Sequence, residues 1–372
     1  MPVVTLTGPR QSGKTTLCKH LFPGLPYRSM ESMDQRTFAL EDPRGFLKSL
    51  PEGAVLDEIQ RVPELLSYLQ EEVDRDARPG RFILTGSENL ALTASVSQSL
   101  AGRTALLTLL PLSQDERAAF LRTPMDLWQT LFTGGYPRIY DQELDPSVWL
   151  GDYANTYVER DVRQLLRVGD LRSFSTFLAL VAGRTGQELN ASRLSGDVGV
   201  SVNTIRAWLS VLEASYLITL LPAWHANHRK QVVKSPKLHF LDTGLACHLL
   251  GIQTPHQLAS HPLRGALFES WVVSEVMKGR LHSGLAPRLF HYRESRGLEV
   301  DLLVQSESGW ILAEAKSGST VDGSFFQGME GLVARFGTGA TVDQRLVYGG
   351  GATYQRQGVL VTAWDGIQTP AW

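Results

Sequence analysis

The stretch that decides the fold is Gly8-Pro9-Arg10-Gln11-Ser12-Gly13-Lys14-Thr15, near the start of this 372-residue chain. It fits the pattern G-x-x-x-x-G-K-[ST], in which the glycines let successive backbone N–H groups surround a phosphate. The apolar, β-branched run 3–6 precedes the stretch, and residues 15–21 continue it in a helical pattern. We therefore predict a buried strand, a phosphate-binding loop and a helix whose positive N-terminal end faces the anion.

The predicted nucleotide site runs from Gly8 to Thr16, and two of its side chains receive specific roles. Lys14 is predicted to reach the β- and γ-phosphates of a nucleotide. The Thr15 hydroxyl is predicted to bind Mg²⁺. No N-K-x-D guanine signature follows in the sequence, so ATP is favoured over GTP.

Two further strand ends supply the polar groups that a phosphate-binding loop needs beside it. The apolar run 54–56 ends in Asp57 and Glu58. Asp57 is predicted to help hold Mg²⁺, and Glu58 to orient and polarise the attacking water. The next strand, 82–85, leads to Ser87, which is predicted to contact the γ-phosphate or the water, with Thr85 and Asn89 as the alternatives. Three strands separated by helical stretches predict an α/β fold with a parallel sheet.

These motifs are followed by Leu100-Ala101-Gly102-Arg103 and Leu110-Pro111-Leu112-Ser113. In this order they resemble the bacterial and archaeal AAA-type ATPases whose C-terminal half is a domain of unknown function. The resemblance implies ATP hydrolysis with a glutamate-activated water, and it implies that Arg103 senses the γ-phosphate. An ion-paired surface arginine is the alternative for Arg103. Members usually carry a further segment before the first strand, which here begins almost at Met1.

The overall composition excludes a wholly basic coat and an acidic disordered tail. Lys and Arg number 36 and Asp and Glu 38, which gives a net charge of −2. Residues 1–150 hold 15 basic and 19 acidic side chains, residues 151–250 hold 11 and 8, and residues 251–372 hold 10 and 11. Only the middle third is therefore predicted to meet a polyanion, and a solvated basic loop with no partner is the alternative. The two cysteines lack disulfide or zinc spacing, and no apolar run is long enough for a membrane helix, so a cytoplasmic protein without a membrane partner is expected.

The middle third contains a pattern typical of a helix-turn-helix. Residues 192–198 and 202–213 are predicted as two helices around a glycine turn, with Ser201 capping the second. Residues 214–221 are predicted as the strand pair of a winged helix. Packing against protein is the alternative to DNA binding. The residues predicted to contact DNA are polar or basic, namely Asn203, Thr204, Arg206, Lys230 and Lys234.

The C-terminal third has an acid on one predicted strand, Asp301, and Glu314 with Lys316 on the next. Strand alternation places Glu314 and Lys316 on one face. This arrangement resembles the PD-(D/E)xK nuclease superfamily. The resemblance implies that Asp301 and Glu314 hold Mg²⁺, that Lys316 polarises a water, and that Glu269 or Glu275 adds a helix carboxylate. The alternative is a retained fold whose acids are satisfied by local lysines and arginines, with no DNA cutting.

We therefore predict an α/β P-loop ATPase domain at 1–125, a helical region with a winged helix at 126–240, and a restriction-nuclease-like α/β domain at 241–372. The expected function is ATP binding and hydrolysis coupled to action on DNA, with ATP and Mg²⁺ as cofactors. An ATP-gated nuclease and a non-enzymatic, nucleotide-switched DNA-binding regulator are the alternatives. A homo-oligomer is left open, in which Arg160 or Arg163 would serve a neighbouring subunit's ATP unless both lie on a salt-bridged helix face.

Overall fold

The structure is a computed structural model, and it describes residues 1–87, 99–156, 171–225, 235–294, 297–336, 341–368 and 372. These residues divide into two units. The N-terminal unit comprises residues 1–111 with 214–216, and the C-terminal unit comprises residues 112–213 with 217–372. The three-domain boundaries given above stay a prediction.

A five-stranded parallel sheet forms the centre of the N-terminal unit, in the order β2-β3-β4-β1-β5. Its strands are β1 (Val3–Thr7), β2 (Tyr27–Ser29), β3 (Ala54–Asp57), β4 (Phe82–Gly86) and β5 (Thr104–Thr108). The buried, apolar strands β1, β3 and β4 coincide with those that the sequence predicts. Because all five strands run in one direction, their carboxyl ends meet at one edge of the sheet, where ligands of open α/β folds bind.

In the described part of this unit the sheet is accompanied by the helices α1 (Lys14–Leu21), α2 (Met33–Glu41), α3 (Pro43–Lys48) and α4 (Leu65–Arg75). α4 lies between β3 and β4, where the sequence predicts a helical stretch. It buries Leu65, Leu66, Leu69 and Val73, whose spacing of three and four residues defines one face. Each fully buried aliphatic side chain contributes about 1.5–3 kcal/mol to the stability of such a core.

The C-terminal unit begins with helices and a small sheet. The helices are α5 (Gln114–Phe120), α6 (Leu127–Thr133), α7 (Pro137–Asp141), α8 (Pro146–Tyr153), α9 (Leu171–Ala182), α10 (Ala191–Val198) and α11 (Val202–Ala214). The strands β6 (Gln187–Glu188), β7 (Ile218–Leu221) and β8 (Lys237–Phe240) pair antiparallel in the order β6-β8-β7. As predicted, the Ser201 hydroxyl caps α11 by accepting from the Thr204 N–H at 3.1 Å.

The strand pair expected within residues 214–221 is wrong. The structure has only β7 there, and its partner β8 begins at Lys237. The reason lies in the end of α11, where Tyr216 takes a left-handed backbone conformation (φ 57°). The Leu217 N–H then donates to the Leu212 carbonyl at 3.0 Å, which closes the helix as a Schellman-type cap. The residues between helix and β7 therefore belong to the cap.

A six-stranded mixed sheet completes the C-terminal unit, in the order β13-β14-β12-β11-β10-β9. Its strands are β9 (Leu289–Arg293), β10 (Glu299–Gln305), β11 (Trp310–Lys316), β12 (Val342–Tyr348), β13 (Tyr354–Arg356) and β14 (Val359–Ala363). The accompanying helices are α12 (Thr243–Leu249), α13 (Pro255–Ser260), α14 (Arg264–His282) and α15 (Gln327–Phe336). β11 lies antiparallel to β10 and parallel to β12, so the two acid-bearing strands of the sequence pattern are neighbours. Over the described residues, no helix has the length and apolar character needed to cross a membrane.

Candidate functional site

The glycine-rich loop connects β1 to α1 and has a backbone that only glycine fits easily. Gly8 and Gly13 have φ of 147° and 94°. A Cβ on Gly8 would lie 2.0 Å from the Leu109 carbonyl oxygen, far inside van der Waals contact. The loop therefore requires glycine at this position. Gln11 also takes positive φ (64°), and the buried Ser12 hydroxyl has no hydrogen-bond partner among the described residues.

Lys14 is the first residue of α1, and its side chain folds back over the loop. Its Nζ donates to the carbonyl oxygens of Gly8 at 3.0 Å and Pro9 at 2.7 Å. Burial lowers the pKa of Lys14 to about 8, against the raising effect of the Glu58 and Asp57 charges. The ammonium thus lies inside the loop that the sequence predicts to hold phosphates.

Asp57 ends β3 and accepts hydrogen bonds from three hydroxyl groups. Thr15 Oγ1 lies 3.1 and 3.2 Å from its two carboxylate oxygens, and Tyr27 Oη donates to Oδ2 at 2.5 Å. The Thr85 hydroxyl donates to Oδ1. The structure therefore brings together Thr15 and Asp57, the two residues that the sequence predicts as Mg²⁺ ligands in this unit.

Glu58 follows β3 in a left-handed conformation, with φ 55° and ψ 44°. Its N–H donates to Thr85 Oγ1 at 3.3 Å. Its Oε2 accepts from Ser87 Oγ at 3.1 Å and from Gln60 Nε2 at 2.5 Å. The structure thus places Ser87 against the carboxylate of Glu58, at the same sheet edge as the glycine-rich loop.

Arg103 lies at the amino ends of the strands, opposite the carboxyl ends that carry the glycine-rich loop. It precedes β5, and its carbonyl accepts from the N–H of Val3, the first residue of β1. The glycine-rich loop follows the opposite end of β1. The Arg103 guanidinium pairs with Asp74 through Nε–Oδ1 at 2.5 Å, and both side chains are partly exposed. The prediction that Arg103 senses the γ-phosphate does not fit this placement within one chain, because the sheet separates the arginine from the loop. The ion-paired alternative fits.

Tyr27 and Gln60 were missed by sequence reasoning, although each contacts one of the two acids. Tyr27 begins β2, whose three residues carry no alternating apolar pattern. The role of Gln60 could have been predicted from its spacing to Glu58 in the sequence. It lies two residues after Glu58, where a short 3₁₀ turn (Ile59–Arg61) brings its amide back to the carboxylate.

In the C-terminal unit, Asp301, Glu314 and Lys316 do meet. Lys316 Nζ donates to Asp301 Oδ2 at 3.0 Å and to Glu314 Oε2 at 2.5 Å. The Ala315 N–H donates to the same Asp301 oxygen at 3.0 Å. Strand alternation and the β10–β11 pairing thus produce the acid–acid–lysine group of the sequence pattern.

A second lysine, Lys237 at the start of β8, enters the same group. Its Nζ lies 2.9 Å from Glu269 Oε1 on α14, 2.8 Å from Glu299 Oε1 on β10, and 3.7 Å from Asp301 Oδ1. Its side chain is 2% exposed. We call Lys237, Glu269, Glu299, Asp301, Glu314 and Lys316 the carboxylate–lysine cluster. The sequence assigned no role to Lys237 or to Glu299.

Burial and charge shift the protonation of the carboxylate–lysine cluster in opposite directions. Burial, helped by the Asp301 charge, raises the pKa of Glu269 to about 8 and that of Glu314 well above its usual value. Burial also opposes ionisation of Asp301, but Lys316 and Lys237 hold its pKa at about 2. Although burial opposes their charge, the acids raise the pKa of both lysines above the ordinary range. Asp301 thus stays an anion between two ammonium groups.

Glu275, the other candidate helix carboxylate, belongs to a separate network on α14. Its Oε1 accepts from Lys278 Nζ at 2.9 Å and lies 3.5 Å from Arg117 Nη2. Its Oε2 accepts from the Gln114 N–H at 2.8 Å and from Gln368 Nε2 at 2.9 Å. Burial would raise the pKa of Glu275, but Lys278 and Arg117 lower it. Only Glu269 therefore joins Asp301 and Glu314.

Of the residues predicted to contact DNA, Asn203 and Arg206 are exposed on α11. Thr204 is half-buried, and its hydroxyl lies 2.8 Å from that of Ser201. Lys230 and Lys234 lie outside the described residues, as do Arg160 and Arg163.

Comparisons with known proteins agree with the geometry of the N-terminal unit. Residues 1–118 match the family model described as "AAA domain". Residues 125–256 and 264–365 match two families described as "Domain of unknown function", DUF8612 and DUF4143. The glycine-rich loop, the Asp57–Glu58 pair and the parallel sheet thus form an AAA-type P-loop ATPase domain, a class that binds and hydrolyses ATP.

The wider relationship covers most of the chain. Uncharacterized proteins of Mycobacterium tuberculosis and Mycobacterium bovis are each 33% identical to it over 326 residues, which are 86% of this chain and 71% of each relative. The chain therefore belongs to the same family as these two mycobacterial proteins.

Solved structures show more distant likeness. A Walker-type ATPase of Pyrococcus abyssi is 18% identical, with 67% of this chain and 91% of that chain covered and a TM-score of 0.42. The ORC1 protein of Aeropyrum pernix, solved in complex with DNA, is 14% identical, with 64% and 82% covered and a TM-score of 0.25.

Proposed function

We propose that this protein hydrolyses Mg²⁺-bound ATP at the carboxyl ends of β1, β3 and β4, and that its C-terminal unit acts on DNA. One observation carries the first part. Asp57 and Glu58 are adjacent in sequence but have different partners: Asp57 accepts from Thr15 on α1, while Glu58 accepts from Ser87 after β4. A metal-binding acid and a water-activating acid need this separation of surroundings.

The donor atoms at Asp57 suit Mg²⁺. Mg²⁺ prefers oxygen ligands, and the Thr15 hydroxyl and the Asp57 carboxylate lie 3.1 Å apart at the loop. These two side chains would hold the ion, which when bound neutralises charge on the β- and γ-phosphates. The loop N–H groups and Lys14 Nζ bind the phosphates once the ammonium leaves the Gly8 and Pro9 carbonyls. The Ser12 hydroxyl is a further donor in the loop.

Glu58 takes the proton from the attacking water in this proposal. Ser87 Oγ and Gln60 Nε2 both donate to Oε2, so we assign Oε1 to the water. The two donors fix the carboxylate plane, and this lowers the entropy that must be lost to align the water with the γ-phosphate.

The experiment that tests this site is ATP turnover by Lys14→Ala beside Lys48→Ala. Lys48 is an exposed lysine of the same unit, on α3, so its removal changes net charge equally without touching the loop. Lys14→Ala is expected to abolish hydrolysis and Lys48→Ala to preserve it. Undiminished turnover by Lys14→Ala would refute the site.

The DNA part of the proposal is supported by α10, α11 and the three-stranded sheet, which together suit a winged helix. Apart from the buried Lys237, residues 190–240 hold 5 basic and 2 acidic side chains, and α11 exposes Asn203 and Arg206. We propose that α11 contacts DNA. Loss of a phosphate contact in Arg206→Ala should weaken binding and reduce the slope of log K against log[salt] by about 1. Ser210→Ala, on the same helix and exposed, serves as the control. Equal binding by Arg206→Ala and wild type would favour the protein-packing alternative.

The two other functions make distinct predictions. A non-enzymatic regulator binds DNA in a nucleotide-dependent manner without turnover, and the placement of Glu58 disfavours it. An ATP-gated nuclease cleaves DNA with Mg²⁺ and ATP and loses cleavage in Asp301→Ala. Asp301 is paired with both Lys237 and Lys316, and this disfavours the nuclease alternative.

A further inference from the structure

Lys237 is a buried cation that the ATPase proposal leaves unused. It belongs to the segment Lys234-Ser235-Pro236-Lys237, in which the sequence assigned a role only to Lys234, as a predicted DNA contact. Pro236, whose ring fixes φ, immediately precedes β8, and Lys237 is the first residue of that strand. From there its Nζ reaches acids on two other elements, Glu269 on α14 and Glu299 on β10.

The carboxylate oxygens of Asp301 and Glu269 define the space that the Lys237 ammonium group occupies. Asp301 Oδ2 accepts from Lys316 and from the Ala315 N–H, while Oδ1 faces Lys237 at 3.7 Å. Glu269 Oε1 accepts from Lys237. A divalent ion bridging Asp301 Oδ1 and Glu269 Oε1 would need the space that the ammonium group fills, and its charge would be repelled by that group.

We propose that Lys237 Nζ occupies the cation position of the carboxylate–lysine cluster, which keeps the nuclease-like centre closed to divalent metal ions. In this proposal the cluster binds no metal, and the ion pairs of Lys237 connect β8 to α14 and to β10. Among the described residues, no group of three or more His, Cys, Asp or Glu side chains is arranged to hold a metal ion. The Mg²⁺ role predicted for Asp301 and Glu314 does not fit this donor set, because Lys316 occupies Asp301 Oδ2 and Glu314 Oε2 and the Lys237 ammonium lies 3.7 Å from Asp301 Oδ1.

The proposal is tested by Mn²⁺ titration of the nucleotide-free full chain, followed by calorimetry. Wild type and Asp301→Asn are expected to bind Mn²⁺ identically, because the cluster takes none. Lys237→Met removes the ammonium and leaves an unbranched apolar side chain that is one heavy atom shorter, and it is expected to gain one Mn²⁺ site. The double variant Lys237→Met/Asp301→Asn is expected to lose that site again. Any binding at the ATPase site is common to all four proteins and cancels in the comparison.

Two controls separate this effect from the general loss of a buried lysine. Lys278→Met removes another buried lysine of α14, but Glu275 keeps its Arg117, Gln114 and Gln368 partners, so no Mn²⁺ site should appear. Lys237→Arg keeps a cation in place and should also gain no site. In Lys237→Met, Mn²⁺ at about 100 times its Kd should raise Tm by roughly 5–10 °C, with no such rise in wild type.

Either of two results would overturn the proposal. One is a Mn²⁺ site in wild type that disappears in Asp301→Asn. The other is a folded Lys237→Met protein that gains no site. If Lys237→Met does not fold, the comparison of wild type with Asp301→Asn still decides the question. The outcome is independent of the ATPase site, because no nucleotide is present.

Discussion

Replacing Glu58 with Gln tests the proposed division of labour between the two acids at the end of β3. The amide has nearly the same shape, and its oxygen still accepts from Ser87 at the 3.1 Å position of Oε2. Only the proton acceptor is lost. Positioned general bases contribute about 10²–10⁴-fold to rate, which is about 2.7–5.4 kcal/mol of barrier at 1.36 kcal/mol per tenfold. Because Lys14, Thr15 and Asp57 are untouched, we expect kcat to fall by that factor.

The assay pairs steady-state ATP turnover with direct ATP binding. Binding by Glu58→Gln is expected to stay within about threefold of wild type, since the loop holds the phosphates. Glu52→Gln is the matched control: Glu52 is exposed, pairs with Arg78, and precedes β3 at the opposite edge of the sheet. Near-normal turnover by Glu58→Gln, or an equal loss in Glu52→Gln, would refute the role of Glu58.

Three further outcomes follow from the described contacts. Gly8→Ala should destabilise the protein by about 1–3 kcal/mol and weaken ATP binding, because its Cβ would lie 2.0 Å from a carbonyl oxygen; a denaturant titration that matches wild type would contradict this. Arg103→Ala should preserve turnover and leave Tm close to that of wild type, since its partner is the partly exposed Asp74 and solvent screens such a pair; a large loss of kcat would show a role that the geometry does not support. Glu275→Gln should cost about 3 kcal/mol at pH 7 by leaving Lys278 without its buried anion. The pKa of Glu275 is lowered from 4.5, so its carboxylate stabilises the folded state fully above pH 4.5, and this stabilisation is lost as the pH falls through the lowered pKa. The difference in Tm between wild type and Glu275→Gln should therefore narrow in acid, and a constant difference would contradict the charge assigned to Glu275.

The nucleotide site was largely predictable because parallel strands impose a simple rule. Residues that follow such strands meet at one edge of the sheet, so the glycine-rich loop, Asp57, Glu58 and Ser87 could be grouped from their positions after apolar runs. The same rule corrects the prediction for Arg103. That arginine precedes its strand, and a residue before a parallel strand lies at the opposite edge.

The carboxylate–lysine cluster was only half predictable. Asp301, Glu314 and Lys316 lie on neighbouring strands at short separation, and alternation alone places the last two on one face. Lys237 is more than sixty residues from Asp301, and its approach depends on how β8 packs beside α14. Local pattern carries no information about such a pairing, and in sequence the basic stretch that ends at Lys237 resembles an ordinary solvated turn.

The reactivity of the two buried cysteines can be used to measure local unfolding of this protein. Cys18 lies on α1 directly behind the glycine-rich loop, and Cys247 lies on α12, so each unit contains one buried thiol. Burial raises the pKa of Cys18 to about 11 and that of Cys247 higher still, which suppresses the reactive thiolate in the native state. Alkylation at either sulfur therefore reports exposure of that unit alone, and ATP should slow the reaction of Cys18 while leaving that of Cys247 unchanged.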